Sequence, residues 1–168
     1  MADWEKTIIP LDDAHEVLSA FGIGSSSREY QRWRRDDGFR HVDFEGVLSE
    51  SSAVLNVDWR ESLQDAVDVI LGQLKELGLE ATADLGEDGE EGILEIEGQA
   101  LRIKFDPADD DDFDRVIEAV NRLVAKKARI RKFRSCEGSD SWTCAVLKNE
   151  DWQALDASAG AMVKLLFV

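Results

Sequence analysis

From Leu11 to Phe21, apolar residues recur at helical spacing. Leu11, Ala14, Leu18 and Phe21 share one face, with Val17 beside them. Pro10 precedes the stretch and Gly22 follows it, which predicts a short amphipathic helix. Gly22 to Ser27 reads as a connection. Arg28 to Arg35 reads as a short basic and aromatic helix closed by the turn Asp36-Asp37-Gly38. The period then changes. Phe39 to Leu48 and Ala53 to Trp59 alternate, and in the second run Ala53, Leu55 and Val57 face one way. A hairpin around Ser49 to Ser52 is predicted.

A longer helix follows, with Asp58 as its N-cap and Glu61 at the capping-box spacing. Leu63, Ala66, Val67, Ile70, Leu71, Leu74 and Leu77 make its stripe, and Gly78 stops it. Leu79 to Leu85 reads as a strand, Gly86 to Gly92 as an acidic turn, and Ile93 to Glu97 and Ala100 to Phe105 as strands around Gly98-Gln99. Asp106-Pro107 opens the next helix, whose stripe is Phe113, Val116, Ile117, Val120, Leu123 and Val124. Arg129 to Ser135 and Trp142 to Lys148 suggest another hairpin, closed by Glu137 to Asp140. Asn149 caps a short helix through Ala157, and Met162 to Val168 reads as a final, buried strand.

From residue 53 the order is β-α-β-β-β-α-β-β-α-β. This is an α+β pattern, a mostly antiparallel sheet covered by helices. Residues 1–50 read as an N-terminal helical and hairpin segment packed on the core, and 51–168 as the α+β core of a single compact domain.

Composition narrows the function. The chain has 168 residues and a formal net charge of −16. That argues against nucleic acid and anionic membrane as partners, because Lys and Arg drive binding to phosphate. The charge is also segregated. From Asp84 to Glu118 there are 14 acidic and 3 basic residues, whereas Ala119 to Ser135 has 7 basic and none acidic. No apolar run approaches the roughly 20 residues of a membrane helix, and the N-terminus is acidic without an apolar leader. A cytoplasmic protein is expected. The two cysteines, Cys136 and Cys144, cannot form a disulfide scaffold. In the expected hairpin register Cys136 faces Ser141 and Cys144 faces Phe133, so free thiols are expected. With two histidines, neither near a cysteine in sequence, no zinc site is expected.

Asp106 to Asp114 is the most unusual segment. As a calcium loop it lacks glycine at the sixth position, and Ile117 occupies the twelfth, so no metal is expected. Helix N-termini favour carboxylates, but Asp109, Asp110, Asp111 and Asp112 exceed that need. They read as an acidic docking surface, together with Glu87, Asp88, Glu90 and Glu91 in the preceding turn. Both segments flank the same two strands, and spacing does not decide whether they share a side. Lys126, Lys127, Arg129, Arg131, Lys132 and Arg134 are split between two faces by strand alternation. Pairing with acids such as Glu95 and Glu97, or protection of an edge, is expected for them. Trp33, among the arginines of Arg28 to Arg35, suits a protein interface. Catalytic material is thin. His41 and Asp43 would share a strand face, and no phosphate loop or nucleotide fingerprint is present. No cofactor and no enzymatic activity are expected.

This profile resembles bacterial immunity proteins, which neutralise a cognate toxin made by the same cell. The likeness lies in small size, strong acidity, the segments Glu87 to Glu91 and Asp109 to Asp112, and the lack of a catalytic set. It implies a non-catalytic module that binds a basic toxin and occludes its active site. The alternative is a type III-like secretion chaperone, also small, acidic and α+β, usually dimeric, which binds an effector segment. Solution mass separates the two.

Overall fold

In the computed structural model, which describes residues 11–28, 30–31, 41–58, 60, 62–86, 90–105, 112–137, 139 and 141–168, the chain is an α+β protein. The described elements run α1 (Leu11–Ala20), α2 (His41–Leu48), β1 (Val54–Asp58), α3 (Leu63–Glu76), β2 (Ala81–Asp84), β3 (Glu91–Ile96), β4 (Gln99–Lys104), α4 (Asp112–Leu123), β5 (Ala128–Lys132), β6 (Ser141–Lys148), α5 (Asn149–Ser158) and α6 (Gly160–Leu166). The strands do not join one sheet. They form two antiparallel three-stranded sheets, in the orders β1-β6-β5 and β2-β3-β4. Contacts divide the chain into two units, Met1–Asn56 with Arg131–Ala145 and Glu150–Val168, and Val57–Ile130 with Val146–Asn149.

The first unit is built on helices and aromatic rings. Ala14, Val17, Leu18 and Phe21 bury the expected face of α1, which packs on α6. Trp152 of α5 meets Phe21 and Phe167 edge-on, at ring separations of 6.2 and 5.1 Å. Phe133 lies 4.6 Å from Phe167, and both are under 5% exposed. Ser51 ties the end of α1 to the turn before β1, its hydroxyl donating to the Phe21 carbonyl at 2.6 Å.

Two expected strands of this unit are helices. Residues 41–48, read as alternating, form α2 instead, because Phe44 and Leu48, four apart and both 0% exposed, share one helical face. Met162 to Val168 is mostly α6. Met162, Val163 and Leu166 are buried while Lys164 is exposed, which is helical spacing inside a short apolar run. Only Phe167 pairs as a strand residue, in one antiparallel bridge with Phe133.

The second unit is α3, β2, β3, β4 and α4, with both helices packed on one face of the sheet. Ile70, Leu74, Leu94 and Ile96 are at most 1% exposed, and each contributes roughly 1.5–3 kcal/mol. α3 begins later than expected. Ser62 is its N-cap, with its Oγ accepting from Asp65 N–H at 3.1 Å, whereas Asp58 ends β1 and accepts from the Arg60 N–H at 2.9 Å. The β3–β4 turn is Glu97-Gly98, not Gly98-Gln99, because Ile96 pairs with Gln99. Both turn residues have positive φ, 54° and 73°, as a two-residue hairpin turn requires.

Strand β5 lies at the edge of its sheet, and its outer side is closed. Phe133 N–H points inward to Thr143 O at 2.8 Å, so Ile130 and Lys132 point outward by alternation. The Asn121 side chain of α4 bonds both main-chain groups of Ile130. It donates to the carbonyl at 2.9 Å and accepts from the N–H at 2.7 Å. Val168 N–H bonds Lys132 O at 2.9 Å. A side-chain amide and one extended terminal residue thus occupy positions where a further strand would bind.

Candidate functional site

The register of the second sheet brings the described residues of the two acidic segments to one end. Glu91 pairs with Lys104, and Phe105 N–H bonds Glu90 O at 2.9 Å, so β4 finishes where β3 begins. Arg115 lies one turn into α4 and reaches back, donating to Lys104 O at 3.3 Å, with Asp112 3.7 Å away. Asp84 ends β2 at the same level, paired with Ile93. Asp84, Glu90, Glu91 and Asp112 therefore share one end of the sheet, a point that spacing alone left open.

These carboxylates are not equivalent. Glu90 is exposed at the entry to β3. Glu91 is half-buried and accepts from Arg102 at 2.9 Å; with side chains 64% and 45% exposed, such a pair is worth under about 1 kcal/mol. Asp112 is half-buried, opens α4 and pairs with Arg115, a structural use of one expected docking residue. Glu87, Asp88, Asp109, Asp110, Asp111 and Trp33 lie outside the described residues.

Helices cover one face of β2-β3-β4, and the other face is exposed. Its side chains include Thr82, Asp84, Ile93, Glu95, Arg102 and Lys104. Ile93 stands at its centre, between Asp84 and Arg102, and is 45% exposed. Sequence reasoning missed Ile93, Asp84 and Glu95. The signal was available. Ile93 is in phase with Glu95 and Glu97, whereas the buried residues are Leu94 and Ile96.

Three residues of the basic strip, Lys127, Arg131 and Arg134, are engaged in structure, and one of them pairs with Glu97 as expected. Lys127 pairs with Glu97, which also accepts the Glu80 N–H at 2.9 Å. The Lys127 hydrogen bond, then the Glu80 N–H, hold the Glu97 carboxyl below the usual range. Arg131 makes a two-pronged bond to Asp156, at 2.9 and 2.6 Å, with its guanidinium carbon 4.3 Å from the centre of a Trp152 ring. Arg134 bonds the carbonyls of Lys164 and Phe167 near the end of α6, at 3.2 Å to each.

Cys136 and Cys144 are free thiols. Cys136 Sγ accepts the Thr143 N–H at 3.0 Å, and Cys144 is buried. His41 and Asp43 belong to α2, so the strand face that would have aligned them does not form. His15 is exposed and edge-on to Tyr30 at 6.2 Å. Burial pushes the Glu45 carboxyl above its usual range, opposed by a hydrogen bond from Ser135. Among the described residues no cluster of three His, Cys, Asp or Glu side chains could hold a metal ion. Nor is any described helix long and apolar enough to cross a membrane. Comparison with known protein families, curated proteins and solved structures finds no match for this chain.

Proposed function

We propose that this protein is a non-catalytic, acidic binding module of the immunity type, which docks on a basic protein toxin and occludes it. The observation that supports this reading is that Asp84, Glu90, Glu91 and Asp112 share one end of a sheet whose open face holds an exposed isoleucine. An apolar anchor inside a charged rim is the usual anatomy of a protein interface. Around Ile93 the open face is acidic at Asp84, Glu91 and Glu95 and basic at Arg102 and Lys104, and the whole chain carries −16. A nuclease or other toxin with a basic cleft would be steered to it. Nucleic acid and anionic membrane are poor partners for such a charge.

The test is capture from lysate of the source organism, using the wild type and an Asp84→Lys/Glu95→Lys variant side by side. The expected result is one stoichiometric basic protein on the wild type, released by salt and absent from the variant. Identical captures on both baits would contradict the reading.

A second reading is a type III-like secretion chaperone. It draws on the open edge of β4, whose main chain offers hydrogen bonds to an extended effector segment. Binding of an isolated peptide from the captured protein, with the affinity of the whole, would favour it.

A further inference from the structure

The chain treats its sheet edges differently. On β5, Asn121 and Val168 fill the outward main-chain positions of Ile130 and Lys132. On β4, the opposite edge strand from β2, the pattern can be read from the register. Phe105 N–H bonds Glu90 O, so Phe105, Ile103, Leu101 and Gln99 point inward to β3. Lys104, Arg102 and Ala100 therefore point outward. Lys104 O is taken by Arg115. Among the described residues nothing bonds the outward N–H and C=O of Ala100 and Arg102, and both residues are exposed. Leu101, between them, is half-buried on the helix-covered face.

We propose that β4 pairs antiparallel with β4 of a second copy of this chain, joining two three-stranded sheets into one of six strands. The edge complements itself in one register. With Leu101 on the two-fold axis, Ala100 of each copy exchanges main-chain hydrogen bonds with Arg102 of the other. Leu101 then meets its own counterpart in a close, non-hydrogen-bonded pair on the apolar face. On the open face Ala100 lies beside the second copy's Arg102, so no like charges oppose. Shifting the pairing one step toward Lys104 sets Arg102 against Arg102, and the next shift sets Arg102 against Lys104, both repulsive. Shifting the other way sets Ala100 against Ala100 and leaves Arg102 opposite the turn at Gly98. The charges on this strand thus select one register and one partner, through a contact that closes on itself and does not propagate.

This assembly uses the edge of β4 and leaves the open face clear for docking, so the two are tested separately. It takes the edge on which the chaperone reading draws, and a dimer of this kind means that solution mass alone no longer separates that reading from the immunity reading. The experiment is sedimentation velocity from low to high micromolar concentration, on the wild type and on Ala100→Pro. The Ala100 N–H points out of the sheet, a position where an edge strand accepts proline. The wild type is expected to pass from monomer to dimer. Ala100→Pro, with an unchanged circular dichroism spectrum, is expected to weaken the dimer by roughly tenfold or more. Hydrogen exchange on the unmodified protein supplies a second readout, since the Arg102 amide should gain protection as concentration rises. A monomer at every concentration would overturn the proposal. So would a dimer in which the Arg102 amide stays unprotected. Asp84→Lys/Glu95→Lys, which abolishes partner capture on the docking reading, should leave the dimer intact.

Discussion

Arg131 shows how one side chain serves two neighbours. Its flat guanidinium lies over the Trp152 ring and grips Asp156 with both prongs, and the side chain is only 16% exposed. Lysine keeps the charge but loses the fork and the stacking. Arg131→Lys should therefore cost about 1 kcal/mol, read as a lower urea midpoint; no change would mean that Asp156, nearly half exposed, draws little from the pair. Glu45 and Glu97 act in opposite directions with pH. The Glu45 carboxyl is raised above 4.5 by burial, so the folded state holds its proton longer than the unfolded state does. Its contribution to stability is present below about pH 4.5 and is lost as pH rises through the folded value. Glu45→Gln should thus stabilise the protein at neutral pH relative to wild type, with the advantage vanishing at pH 4, as followed by denaturation at both pH values. Glu97 is lowered by Lys127, so its contribution is present above about pH 4.5 and fades as pH falls. Nothing in the sequence marks Glu45 for this role, because its burial arises from tertiary packing; even the hydrogen bond that opposes the shift comes from Ser135, ninety residues away in the chain.

At the scale of elements, two contacts bear on the sheets, at Gly92 and at Asn121. Gly92 lies under Phe105 and Leu85, and a Cβ there would sit 2.9 Å from the Phe105 ring and 3.3 Å from the Leu85 main chain. Gly92→Ala should destabilise by about 1–3 kcal/mol through overpacking, measurable as a lower melting temperature. Asn121 supplies both bonds that close β5 at Ile130. Asn121→Ala leaves those groups without their partner and should cost about 1–3 kcal/mol, with faster hydrogen exchange at the Ile130 amide; unchanged exchange would show that water replaces the side chain at no cost. The strongly periodic elements were legible. α3 and α4 bury most of the residues that their stripes predict, with Leu63, Leu77 and Leu123 only half-buried, and β3 and β4 alternate as written. Short apolar runs were not. Residues 41–48 and 160–166 fit either period over so few positions, and burial of Phe44, Leu48, Met162 and Leu166 decided for helix. The N-cap of α3 moved from Asp58 to Ser62 because β1 holds Asp58 as its last residue.

At the scale of the molecule, charge and register carry the functional argument. The segregation of charge was visible in the sequence, and so was the pairing of one strip residue, Lys127, with Glu97. What was not visible is the partition of six strands into two sheets, because sheet order depends on contacts distant in sequence. The convergence of Asp84, Glu90, Glu91 and Asp112 needed the register of β2-β3-β4 and the reach of Arg115. Ile93 needed only the alternation to be followed one strand further. If this face receives a basic protein, its charge acts mainly before contact, by steering, and Ile93 acts after it, by anchoring. These two effects separate in kinetics. The most direct measurement is the association and dissociation rate of the captured protein against ionic strength, for the wild type, Asp84→Asn/Glu95→Gln and Ile93→Ser. The account predicts an association rate that falls steeply with salt in the wild type and less so in the first variant, and a dissociation rate raised roughly tenfold or more in the second. An association rate indifferent to salt, with both variants binding as the wild type does, would contradict it.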